Sequence, residues 1–112
     1  MLSKTQRLTS NRIDYLLRKG KKTGNAFLTL KYLQTPNAIS RFCVIVSSKI
    51  LAKAVERNHL RRQIYEIIRN YQHLLTSSFD IIVIARFPLA RLDFQHLNAA
   101  ITSLLQNLKA NS

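Results

Sequence analysis

Hydrophobic positions along the chain switch between a helical and a strand period, and the switches lay out the elements in order. Ile13, Leu16 and Leu17 fall at i, i+3 and i+4, the stripe of an amphipathic helix. Ser10 is placed to cap its start, and Gly20 to stop it after Arg18 and Lys19. Residues 26–33 (AFLTLKYL) alternate, which puts Leu28, Leu30 and Tyr32 on one face of a strand. Thr35-Pro36-Asn37 reads as a turn. Residues 41–47 (RFCVIVS) are apolar through the middle, the mark of a strand covered on both faces and so central in its sheet. Residues 54–71 read as a long helix, and residues 80–85 (DIIVIA) as a β-branched, buried strand. Asp93 is placed to cap a final helix striped by Leu97, Ile101, Leu104, Leu105 and Leu108. The predicted order is α-β-β-α-β-α, with a further short strand expected between Tyr32 and Ser47. Helices with one apolar stripe each, laid on one small sheet, make an α+β fold, a small α-β sandwich. At 112 residues the whole chain, 1–112, is one domain.

The helix over 54–71 (AVERNHLRRQIYEIIRNY) has two distinct faces. At about 100° per residue, with Leu60 at zero, Ile64, Ile67, Ile68 and Tyr71 fall within roughly 80° of it and form a core stripe. Asn58, Arg61, Arg62, Tyr65 and Arg69 gather on a separate arc, with Arg57 at the border. Glu56 and Glu66 lie off that arc, so pairing at i,i+4 leaves most of it positive. A basic helical face can be no more than solvated surface. Arginine in place of lysine favours planar, bidentate phosphate contacts and tips the reading towards nucleic acid.

Charge strengthens that reading. Eighteen Lys and Arg against five Asp and Glu leave the chain at +13. Such an excess repels itself and is best tolerated against a polyanion, either nucleic acid or an anionic membrane. The apolar runs are about five residues long, against the roughly 20 that a spanning helix needs, and the start MLSKTQRLTS has no signal-peptide core. No membrane partner is expected. Cys43 is the only cysteine, so no intrachain disulfide can form. That fits a cytoplasmic protein, and Cys43 between Phe42 and Val44 reads as a core residue. The five acids, Asp14, Glu56, Glu66, Asp80 and Asp93, are scattered without a metal-binding cluster. His59, His73 and His96 have no metal-ligand spacing with Cys43. No catalytic residue, metal site or organic cofactor is therefore expected in this chain.

The string Glu56-Arg57-Asn58-His59-Leu60-Arg61-Arg62, reached from a strand end Ser47-Ser48-Lys49, resembles the signature of the bacterial ribonuclease P protein family. Arg57 and Asn58 match its first positions, and Arg61 and Arg62 its following basic pair. Arg7-Leu8, Gly20, the strand through Phe27 and residues 80–86 are similar to family positions at family spacing. His59 departs where a second arginine is usual, Tyr65 where an arginine commonly follows, and Ile13 and Leu17 where aromatics are common.

The resemblance implies an α-β sandwich whose βαβ unit crosses over in the left-handed sense. It implies a protein subunit that assists a catalytic RNA in the magnesium-dependent removal of the 5′ leader from precursor tRNA, with the magnesium used by the RNA. Its partners would be ribonuclease P RNA and precursor tRNA, with no obligate protein partner. Arg57, Asn58, His59, Arg61, Arg62, Tyr65 and Arg69 would then face the catalytic RNA. Ile13, Leu17, Phe27 and Tyr32 would form a groove for the single-stranded leader, and Lys19, Lys21, Lys22 and Lys31 a diffuse electrostatic funnel.

Three other readings compete. A small ribosomal-type RNA-binding protein has equally natural charge and size. A helix-turn-helix DNA reader is disfavoured because a strand end, and not a helix and turn, precedes the basic helix. A nuclease in its own right lacks the carboxylates.

Overall fold

The computed structural model describes residues 7–36, 39–75, 77–86 and 93–111. The elements run α1 (Ser10–Lys19), β1 (Lys21–Gly24), β2 (Leu28–Gln34), β3 (Arg41–Ile45), α2 (Ala54–Tyr71) with a short 3-10 turn after it, β4 (Phe79–Ala85) and α3 (Phe94–Asn111). The sheet order is β1-β2-β4-β3. β2 pairs antiparallel with both β1 and β4, and β3 pairs parallel with β4. A parallel pair needs a crossover, and α2 supplies it.

The sheet sorts its side chains by period two. Leu28 and Leu30 of β2, Phe42 and Val44 of β3, and Phe79, Ile81, Val83 and Ala85 of β4 face one way. Against them pack Leu60, Ile64, Ile67 and Ile68 of α2 and Leu97, Ile101, Leu104, Leu105 and Leu108 of α3. These are the stripes expected from the helical period. The intervening positions of β4, Asp80 and Ile82, face the other way and are also fully buried. There α1 lies across β2 and β4, with Leu16 fully buried. The molecule therefore has three layers: α1, the sheet, and the α2–α3 pair.

Three expectations need correction. The strand over 41–47 is an edge strand, and β4 takes the interior place next to it. Its apolar run reflects two faces that each meet other groups, since Phe42 and Val44 enter the core while Cys43 and Ile45 remain half-buried. Secondly, the extra strand is β1, at 21–24. Among the described residues no further strand lies between Gln34 and Arg41, and Asn37 of the expected turn lies outside them. β1 (KKTG) has no period to read; pairing with β2 makes it a strand, and its lysines on the sheet's edge discourage further pairing. Its turn is closed by Asn25, whose Oδ1 accepts from the backbone N–H groups of Phe27 and Leu28, each at 2.9 Å. Thirdly, the cap of α1 is Thr9, one residue before Ser10; its Oγ1 accepts from the Arg12 N–H at 3.3 Å. The Asp93 cap is as expected, with Oδ1 accepting from His96 N–H at 2.9 Å.

Candidate nucleic-acid interface

α2 begins at a segment that its own Arg57 holds in place. The Arg57 Nη1 donates to the carbonyls of Leu51 at 3.0 Å and Ala52 at 2.7 Å. No side chain caps the helix at Lys53, so this clamp is what ties the entry loop to the first turn. Arg57 is half-buried and part of its donor capacity is spent inside the molecule.

One turn on, Asn58, Arg61, Arg62 and Tyr65 line a single open hollow. Arg61 Nη2 donates to the Asn58 side-chain oxygen, which orients both. No carboxylate of the described residues pairs with Arg61 or Arg62. Tyr65 is anchored from the other side: its hydroxyl accepts from the Val44 N–H at 3.2 Å. Burial pushes the Tyr65 pKa up, against the lowering effect of the Val44 N–H and of Arg7 and Arg61 nearby. It is thus a neutral phenol at physiological pH, and it satisfies a donor on the free edge of β3. That edge is also bridged by Arg7, which pairs with Phe42. The basic face of α2 and the open edge of the sheet are consequently one continuous surface.

Arg69 differs from its neighbours. Its Nη2 donates to both oxygens of Glu66, at 2.8 and 2.7 Å. The helix arithmetic considered i,i+4 partners and missed this i,i+3 pair. His59 is exposed on the far side of Arg62, where it lines a second hollow with Arg62, Gln63, Glu66 and Phe94.

The opposite side of the sheet holds a charge cluster that the sequence reading did not find. Asp80 is fully buried and accepts from Arg12 Nε at 2.7 Å, Arg41 Nε at 2.9 Å and Arg41 Nη2 at 2.8 Å. Burial raises the Asp80 pKa, but the hydrogen bonds from Arg41 and Arg12, with their charges, outweigh it and hold the carboxyl below its usual range. Two guanidiniums on one carboxylate leave a net positive charge at the α1 side. The Arg12 guanidinium also sits 5.2 Å from the ring centre of Tyr15, which is substantially exposed. A lone acid opening an otherwise apolar strand, beside an arginine opening the parallel neighbour, was the available signal. Only the β3–β4 register, with Arg41 opposite Asp80, reveals that they meet.

The four expected groove residues are not brought together. Ile13 is half-buried on α1, and Leu17 is 41% exposed, in a shallow depression with Asp14 and Arg18. Tyr32 sits opposite Ile81 on the α2–α3 side of the sheet, edge-on to Phe79 with ring centres 6.0 Å apart. Phe27 packs against that same core. The period-two alternation of β2 is the physical reason for Tyr32, which is in register with Leu28 and Leu30 and shares their face, whereas Phe27 precedes the strand.

Among the described residues no three of His, Cys, Asp and Glu come together where they could hold a metal ion. No helix among them is long and apolar enough to cross a membrane.

Fold and site together define a class: a small α+β sandwich whose crossover helix presents arginines at an open sheet edge. The family model described as Ribonuclease P matches residues 2–109. A ribonuclease P protein component from Syntrophomonas wolfei is 30% identical over 107 residues, covering 95% of this chain and 89% of the relative. The solved ribonuclease P protein from Thermotoga maritima superimposes with a TM-score of 0.82 at 29% identity, covering 90% of this chain and 96% of that one. A Staphylococcus aureus ribonuclease P protein shares the fold, with a TM-score of 0.83 at 24% identity over 93% of this chain and 95% of that one. The chain belongs to the ribonuclease P protein component family, and so to the protein side of a ribonuclease complex.

Proposed function

We propose that this chain binds the catalytic RNA of ribonuclease P through the α2 face and helps it remove the 5′ leader of precursor tRNA in the cytoplasm. The observation that carries the reading is the hollow formed by Asn58, Arg61, Arg62 and Tyr65, in which two arginines have no acidic partner among the described residues. Guanidiniums in that state suit phosphate oxygens, and such contacts position RNA without reading its sequence. The chain's net charge of +13 adds a long-range attraction to the same partner.

We place the magnesium-assisted hydrolysis in the RNA subunit. Three of the five acids are already engaged, Asp80 with Arg12 and Arg41, Glu66 with Arg69, and Asp93 with the start of α3, and among the described residues no three potential ligands come together. The donor set of the described residues does not fit a magnesium site. For the leader we favour the α1 side of the sheet, where Ile13 and Leu17 leave apolar surface open and Arg12, Arg41 and the half-buried Lys31 supply positive charge. Phe27 and Tyr32 leave this proposal because they face the core.

The test is cleavage of a precursor tRNA by a bacterial ribonuclease P RNA at low magnesium, with and without the protein. Stimulation by the wild type, lost in a folded Arg61→Ala/Arg62→Ala variant, is the expected result. Tight RNA binding with no stimulation would favour the ribosomal-type alternative.

A further inference from the structure

A second hollow lies on the other side of Arg62, between α2 and α3. Phe94 opens the first turn of α3 and is 49% exposed, outside the core that Leu97, Ile101 and Leu104 build on the same helix. It lines a hollow of about 290 Å³ with His59, Arg62, Gln63 and Glu66 of α2. That volume lies at the lower limit of ligand pockets, roughly 300–1,000 Å³, and suits one ring system better than an extended ligand.

The chemistry of the walls narrows the occupant. An exposed aromatic face next to a guanidinium is the pairing that holds unstacked bases, the ring on the π-face and the charge on the flanking phosphate. Gln63 offers both a donor and an acceptor to a base edge, and His59 offers ring nitrogens. Glu66 would repel a nucleotide if its charge were free, but both its oxygens are held by Arg69. Arg62 borders both this hollow and the one with Asn58, Arg61 and Tyr65. A phosphate on Arg62 would therefore stand at the ridge between them, with a base directed over it towards α3.

We propose that the α2–α3 junction is a binding site for one unpaired nucleobase of the RNA, with Phe94 as its stacking platform. The site rests on the proposed RNA partnership and adds to it a contact that carries no charge. That property makes the two separable by experiment.

The chain contains no tryptophan, so Phe94→Trp gives a single fluorophore inside the hollow. Titrating it with a bacterial ribonuclease P RNA should quench its emission as the indole stacks on a base. Phe94→Ala, its fold checked by circular dichroism, should bind the same RNA about tenfold or more weakly. Its slope of log K against log salt should equal that of the wild type, because no charge has been removed. Undiminished affinity in Phe94→Ala would overturn the site, whatever Phe94→Trp does, while leaving the RNA partnership standing. If the wild type fails to bind the RNA at all, it is the proposed function that falls. Self-association of the free protein that Phe94→Ala abolishes, with RNA affinity unchanged, would assign the hollow to a second copy of the chain and reject the nucleobase.

Discussion

Arg41 grips Asp80 with two parallel hydrogen bonds, Nε to Oδ1 at 2.9 Å and Nη2 to Oδ2 at 2.8 Å, across neighbouring parallel strands. Arg12 adds a third from α1, so a single buried carboxylate ties the first helix to both strands of the crossover unit. Removing the carboxylate leaves two partly exposed guanidiniums side by side without their shared acceptor. Asp80→Ala should lose about 1–3 kcal/mol of stability, measured by urea denaturation.

Acid should act through the same group. The Asp80 pKa is lowered on folding, so its contribution is complete above the ordinary value of 3.8 and fades as pH falls through the lower folded value. Stability should therefore fall more steeply below about pH 4 in the wild type than in Asp80→Asn. Parallel slopes in the two proteins would show that another group controls acid unfolding.

The arginines of α2 should separate by what they already hold. Arg61→Ala and Arg62→Ala should each flatten the slope of log K against log salt by about 0.7–0.9 in RNA binding. Arg69→Ala should flatten it less, because Glu66 already occupies that guanidinium. Arg57→Ala should also reduce thermal stability, since it frees the loop carbonyls of Leu51 and Ala52. Equal slopes for all four variants would mean that the intramolecular pairs open on binding.

Gly20 marks the passage from α1 to β1 without any left-handed turn, at φ −67° and ψ 150°. Its requirement is space: a Cβ there would lie 2.5 Å from the Leu16 carbonyl oxygen, which accepts the Gly20 N–H at 2.8 Å. Gly20→Ala should be destabilising by about 1–3 kcal/mol, as overpacking is elsewhere, and a lowered midpoint in thermal melts would register it. An unchanged midpoint would mean that α1 shifts without cost.

Tyr65→Phe should remove the acceptor of the Val44 N–H while keeping the ring. The expected loss is about 1 kcal/mol, with faster amide exchange at Val44 as its specific signature. Unaltered exchange there would show that the hydroxyl is dispensable to the β3 edge.

Much of this protein was determined by its sequence alone. The pattern of apolar residues located α2, the core stripes of α2 and α3, and the shared face of Leu28, Leu30 and Tyr32, because period and burial are local properties of the chain. The arginine arc of α2 was legible for the same reason: helical angle follows from residue number. Tertiary structure decided what depends on pairing between distant segments. It made the structureless run 21–24 a strand, moved residues 41–45 to the edge of the sheet, and brought Asp80 to Arg12 and Arg41. It also divided the basic face, occupying Arg57 with loop carbonyls and Arg69 with Glu66 while leaving Arg61 and Arg62 without carboxylate partners among the described residues. Local periodicity specifies which way a side chain points, but the partner it meets depends on strand order and register, which no local pattern encodes.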